Sequence, residues 1–178
     1  MKYTEEQTVR YQHINQGDWS IYIAVTDKGL CFVGSQNAGF NEMKIWFEKS
    51  RPNGKLVEDS DHVSGYTDQV VAYLRGERQD LDLPVDLVGT VFQYAVWTEL
   101  QNIPFGETKT YTEIAEKIGK PNAVRAVGTA IGANPVLIVV PCHRVVSKSG
   151  KMAGYRGGIP MKERLLELEH TICNTTFN

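Results

Sequence analysis

The 178-residue sequence contains no unbroken apolar run near the ~18 residues a membrane-spanning helix requires, so no membrane partner is expected. Its first ten residues, MKYTEEQTVR, lack the apolar stretch of a secretory signal, and a cytoplasmic location is expected. Cysteine is scarce. The three present, Cys31, Cys142 and Cys173, are odd in number and far apart, which argues against a disulfide framework and for a reducing compartment. No CxxC or HxxxH pair occurs, and before residue 90 His13, Cys31 and His62 are the only His or Cys residues. Their spacing is unpaired, so neither a metal nor another cofactor is expected. There is no internal repeat and no low-complexity segment.

Acidic residues are missing from one region. Residues 117–162 carry eight Lys or Arg and no carboxylate, although the whole chain has a formal charge of −2. Residues 1–87 hold 9 basic and 14 acidic side chains (net −5), and residues 88–178 hold 10 and 7 (net +3). A long block of one sign is an electrostatic footprint for phosphates, or else a solvated basic face.

The apolar pattern divides the chain at the same place. WSIYIAVTDKGLCFV (19–33) alternates about Asp27-Lys28-Gly29 and reads as a β-hairpin. NEMKIWFEKS and YTDQVVAYLRGE read as helices, the second closing at Gly76. LDLPVDLVG (81–89) is an extended connector. Beyond it, Thr90 with Gln93 and Thr110 with Glu113 form two capping boxes, which open helices ending near Leu100 and at Gly119. Pro121 forbids continuation of the second, and Asn122 is placed to cap the next helix, AVRAVGTAIG. Two short helices about a glycine turn describe a helix-turn-helix. The second is built of small residues around one long polar side chain, Arg125. That composition allows close approach to a ligand or to a neighbouring helix.

The chemistry concentrates in IVVPCHRVVS, residues 138–147. The run 136–140 reads as a buried strand that Pro141 ends, bringing Cys142 out at its tip beside His143 and Arg144. A cysteine in such a place is either a small buried hydrophobe or a nucleophile. The carboxylate-free surroundings favour a thiolate, with a pKa below the ~8.5 of a free thiol. A helix from Pro160 to Glu169 can return an acid to the histidine, and the polar loop 147–158 can wall a pocket.

Pro141-Cys142-His143-Arg144-Val145 resembles the signature of the O6-alkylguanine-DNA alkyltransferases, or methylated-DNA–protein-cysteine methyltransferases. Phe105-Gly-Glu-Thr-Lys-Thr-Tyr111, Arg125-Ala-Val-Gly128, Asn134-Pro135 and Gly154-Tyr155 through Glu169 follow in that family's order and spacing, so the resemblance covers residues 88–170. It implies an α+β fold. A strand-rich, ribonuclease-H-like domain would span 1–85, and a mostly helical domain carrying the helix-turn-helix would span 86–178. It implies a DNA repair protein that takes the alkyl group from O6-alkylguanine, and from O4-alkylthymine, irreversibly onto Cys142. The partner would be double-stranded DNA bound through the minor groove by a monomer, with the damaged base flipped out.

By the same resemblance, His143 activates the cysteine through a water and Glu169 orients the histidine. Tyr111 donates a proton to the departing guanine, and Asn134 braces the active-site turn. Arg125 fills the vacated stack, with Thr110, Thr112, Ala126 and Ala130 beside it on the DNA. The carbonyls of Cys142 and Val145, with Ile131, Tyr155 and Arg156, would line the base pocket. Arg156 stands where several relatives carry a small residue. Three rival readings fit less well. A damage-binding relative that transfers nothing would keep the fold but lack the cysteine, and Cys142 is present. A sequence-specific regulator needs polar side chains on its recognition helix, and a Cys-His hydrolase needs an oxyanion hole.

Overall fold

The computed structural model describes residues 7–152 and 154–175. The N-terminal half runs β1 (Thr8–Gln16), β2 (Trp19–Thr26), β3 (Gly29–Val33), α1 (Phe40–Ser50), β4 (Lys55–Glu58) and α2 (Ser60–Leu74). The four strands form one sheet in the order β3-β2-β1-β4. β1 and β3 lie antiparallel to β2, and β4 joins β1 in parallel. The hairpin expected at residues 19–33 is β2 and β3. Helix α2 starts earlier than its apolar stripe suggested, because the Asp59 side chain caps it by accepting the His62 N–H. Its end is as expected: Gly76 takes a φ of 75°, where glycine has no Cβ to clash.

The C-terminal half contains α3 (Val91–Gln101), β5 (Lys109–Thr110), α4 (Tyr111–Lys117), α5 (Val124–Gly132), a 3₁₀ turn (Cys142–Arg144), β6 (Val145–Val146) and α6 (Ile159–Thr175). Both capping boxes form in full, Thr90 with Gln93 and Thr110 with Glu113. In the second, the Glu113 N–H donates to the Thr110 hydroxyl at 3.2 Å and the Glu113 carboxylate accepts the Thr110 N–H at 2.7 Å. Thr110→Ala is therefore expected to lower the unfolding free energy by about 1 kcal/mol, measured by urea denaturation at pH 7.

The two halves share one apolar core, in which Ile21, Ile23 and Val33 of the sheet meet Trp97, Leu100, Val136 and Cys142. They are also joined along the edge of β3. The Leu30 N–H donates to the Pro84 carbonyl and the Val33 N–H to the Pro135 carbonyl, at 2.8 and 3.0 Å. The free edge of the sheet is thus covered by the connector on one side and by the segment preceding Cys142 on the other.

Two expectations fail here. Residues 136–140 do not form a strand: only Val136 bridges β3, and the rest is a compact turn with Ile138 at a φ of 71°. Successive bonds from the Val139 N–H to the Leu137 carbonyl and from the Val140 N–H to the Val136 carbonyl fold the run on itself. β3 ends at Val33 and no other strand among the described residues flanks the run, so an extended run would have left its backbone unpaired. Asn122 caps nothing. The α5 N-cap is Ala123, which makes no side-chain cap bond.

Candidate functional site

Cys142 sits in the 3₁₀ turn between the coiled 136–140 segment and β6, and only 2% of its surface is exposed. The Asn134 side-chain amide donates to the Cys142 sulfur at 3.1 Å and to the Val140 carbonyl at 2.9 Å, while its oxygen accepts the Val136 N–H at 2.9 Å. One buried side chain therefore holds both the sulfur and the turn that presents it. That turn includes Ile138, a β-branched residue in the left-handed region, a conformation that costs about 1–3 kcal/mol and persists only where its surroundings impose it.

Behind the sulfur lies a buried polar network. The His143 Nε2–H donates to the Glu169 carboxylate at 2.7 Å. Arg144 donates through Nε to both Glu169 oxygens at 3.1 Å, and through Nη2 to Oε1 at 3.0 Å. Its Nη1 reaches the Ile103 carbonyl, and the Gly106 N–H also donates to the carboxylate, at 2.9 Å. Arg144 thus ties the turn that carries Cys142 to Glu169 and to the residues after α3. With Nε2 engaged, His143 Nδ1 is buried with no partner among the described residues.

Tyr73 of α2 was not anticipated. Its hydroxyl donates to Glu169 at 2.5 Å and lies 3.3 Å from His143 Nε2. No local pattern marks it, since its partner is 96 positions away. Lys162 was missed for the same reason. Although buried, it donates to the Val145 carbonyl from one turn into α6.

Electrostatics corrects one expectation directly. Burial pushes the Cys142 thiol above its ordinary value, outweighing the Asn134 hydrogen bond and the charges of Arg156 and Lys162 that pull it down. Burial likewise lowers the His143 pKa, against the pull of Glu169. At neutral pH the resting pair is a thiol beside a neutral imidazole, not a preformed thiolate. Burial alone would raise the Glu169 carboxyl as well, but the hydrogen bonds and charges of His143 and Arg144 hold it at about 2.

A carboxyl so depressed contributes stability that is present above its unfolded pKa of ~4.3 and is lost as pH falls towards 2. Glu169→Gln should abolish that acid limb. It should also cost about 3–5 kcal/mol at pH 7, because Arg144 is left buried without its anion. Denaturant curves of both proteins between pH 2 and 7 check this.

Tyr111, at the start of α4, is half-buried. Burial and then the proximity of Cys142 raise its pKa. Its ring lies over Gly128 of α5 and its hydroxyl close to Gly154 of the 147–158 loop, so it stands between the helix pair and that loop. Tyr155 is buried in the same cluster as Cys142 and Ile131, and its hydroxyl is unpartnered among the described residues. The carbonyls of Cys142 and Val145 already accept the Val145 N–H and Lys162, though each keeps a second lone pair.

On α5, Arg125, Ala126 and Thr129 are exposed, and so are Lys117 and Lys120 at and after the end of α4 and Lys148 and Lys151 in the 147–158 loop. Thr110 and Thr112, at the start of α4, are partly exposed. Ala130 is not available there, contrary to expectation. It is 2% exposed on the core side of α5, where its carbonyl accepts the Trp97 indole N–H at 2.8 Å. The Arg156 side chain is also elsewhere: its guanidinium turns to Glu42 and the end of β3 instead of lining a pocket.

The chain matches two family models, the 6-O-methylguanine DNA methyltransferase ribonuclease-like domain over residues 9–87 and the DNA binding domain of the same protein over 91–171. It is 52% identical over 166 residues to an inducible methylated-DNA–protein-cysteine methyltransferase of Bacillus subtilis, covering 93% of each chain. The crystal structure of Mycobacterium tuberculosis O6-methylguanine methyltransferase superposes with a TM-score of 0.80 at 39% identity, over 96% of this chain and 99% of that one. The same organism's protein in complex with DNA gives 0.76 at 40% identity, over 92% and 94%. The chain belongs to the 6-O-methylguanine DNA methyltransferase family.

Proposed function

We propose that the protein reverses alkylation damage in DNA directly, moving the alkyl group of O6-alkylguanine onto the Cys142 sulfur in a single irreversible turnover. The observation that carries this reading is the buried Cys142–Asn134 and His143–Glu169–Arg144 arrangement, set beside a helix pair whose outer face is basic and small-residued.

Transfer begins with the neutral pair. His143 Nδ1 is the imidazole's available acceptor, and a water between it and the thiol would carry the proton across. The imidazolium that forms is stabilised by Glu169, which Arg144, Gly106 and Tyr73 keep ionised and fixed. The sulfur anion, held by the Asn134 amide, attacks the alkyl carbon. The carbon–oxygen bond breaks and guanine leaves as the Tyr111 hydroxyl gives it a proton. The thioether has no leaving path, so the protein is consumed.

The alkylated oxygen lies inside the duplex, so the base must be extruded to reach a sulfur this deeply buried. Arg125 is the long side chain on the exposed face of α5, and its guanidinium makes no hydrogen bond or ion pair among the described residues. It is placed to occupy the gap while the surrounding lysines meet phosphates. Thr110, Thr112 and Ala126 belong to the same contact face. We assign the protein as a monomer in this reaction. The test is a duplex carrying one O6-methylguanine: it should return unmodified guanine at that position with the strand intact, in an amount equal to the protein added. Released free base or a cleaved strand would contradict the proposal.

A further inference from the structure

The loop that carries Tyr155 is rich in glycine, with Gly150, Gly154, Gly157 and Gly158, and glycine is costly to order. Arg156 supplies an anchor. Its Nε donates to the Asn134 carbonyl at 2.9 Å, its Nη1 to Glu42 at 2.6 Å, and its Nη2 to the carbonyls of Val33 and Pro135 at 2.7 and 3.2 Å. The guanidinium also lies 5.2 Å from the Phe32 ring centre. Glu42 is itself held: it accepts the Ser35 N–H at 2.8 Å and the Ser35 hydroxyl at 2.5 Å, and that hydroxyl is 3.3 Å from the Arg156 carbonyl. One side chain thus joins α1, the end of β3, the turn at Asn134 and the loop. Asn134 is the residue whose amide touches the Cys142 sulfur.

We propose that Arg156, held by Glu42, is a positioning residue for alkyl transfer: it fastens the N-terminal half to the backbone of Asn134 and to the Tyr155 loop, and so sets the geometry around the sulfur. The inference rests on the alkyl-transfer reading. It gives the N-terminal half a part in the chemistry besides completing the core. A forked guanidinium suits the task because it serves several acceptors at fixed angles, which a lysine does not. A displacement of the order of an ångström at a reacting centre is enough to slow a step appreciably.

The experiment measures single-turnover transfer from free O6-benzylguanine, which needs no DNA, in the full-length wild type, Arg156→Gly, Arg156→Lys, Glu42→Ala and the double variant Arg156→Gly/Glu42→Ala. Melting temperatures are recorded beside the rates. Each single removal should slow transfer roughly tenfold, the double variant should be no slower than Arg156→Gly, and lysine should restore only part of the loss. The pH profile of iodoacetamide capture, mapped to the Cys142 peptide, should move upward in Arg156→Gly, because a positive charge and a well-placed amide are lost to the thiolate. If glycine impairs folding, Glu42→Gln should show the same direction at smaller size. Wild-type rates in variants that merely melt lower would overturn the inference, as would multiplicative losses in the double variant. Failure of the wild type to transfer at all would instead count against the reading beneath it.

Discussion

Replacing Arg125 with alanine should slow repair of O6-methylguanine in a duplex about a hundredfold while leaving the reaction with free O6-benzylguanine nearly untouched. Extruding a base costs a few kcal/mol of stacking and pairing, and a side chain that fills the gap recovers part of that cost. Arg125 is exposed on α5 and takes no part in the hydrogen bonds of Cys142, His143 and Glu169, so its loss should leave the thiol, the imidazole and the pocket unaltered. Duplex affinity should fall only modestly, because the exposed Lys117, Lys120, Lys148 and Lys151 remain to neutralise phosphates. Single-turnover rates on the two substrates decide the matter. Equal losses on both would place Arg125 in the support of the fold or pocket, and an unimpaired duplex rate would remove it from the mechanism.

The second large effect concerns His143. A positioned base contributes on the order of 10²–10⁴-fold, and His143→Gln should cost transfer about that much near pH 7. The pH profile is more discriminating than the size of the loss. In the wild type the reactive form is the thiol with a neutral imidazole. Protonation of the imidazole depletes it only when pH drops below the lowered His143 pKa, whereas above the raised Cys142 pKa the thiolate is already present and transfer continues. The rate should therefore stay level through neutral pH and begin to fall only below ~6.5, the ordinary imidazole value. Without the imidazole, transfer depends on direct ionisation of a thiol that burial makes reluctant to ionise. The variant's rate should climb with pH into the alkaline range. A level profile in His143→Gln would show that some other group takes the proton.

Much of this could be anticipated from local pattern, because the elements involved are specified within a few residues of themselves. Thr90 with Gln93 and Thr110 with Glu113 satisfy their own helix ends, and Gly76 and Gly119 each adopt a positive φ that ends a helix. Cys142, His143, Asn134 and Glu169 were recognisable through the family resemblance, and the fold brings them together. What escaped depends on distant partners. The 136–140 run has the composition of a buried strand, but β3 offers it one pairing position, and the Asn134 side chain then shapes the remainder. Tyr73 and Glu42 gain meaning only when the N-terminal half docks against the loop and α6. The sign of the Cys142 shift was misjudged because neighbouring cations are visible in a sequence and the depth of burial is not. Ala130 illustrates the same limit: a small residue on a helix gives no indication of which face it occupies.

The most direct test of the central claim is the intact mass of the protein after incubation with excess O6-methylguanine duplex, followed by peptide mapping. The expected result is a gain of one methyl group that does not increase with time or substrate, found only on the peptide containing Cys142. Cys31 should stay unmodified, since it is fully buried and its pKa is pushed up to about 12. Cys142→Ser should gain no mass while still binding the duplex. Guanine restored without any mass gain, continued turnover beyond one equivalent, or a methyl group on Cys31 or Cys173 would contradict it.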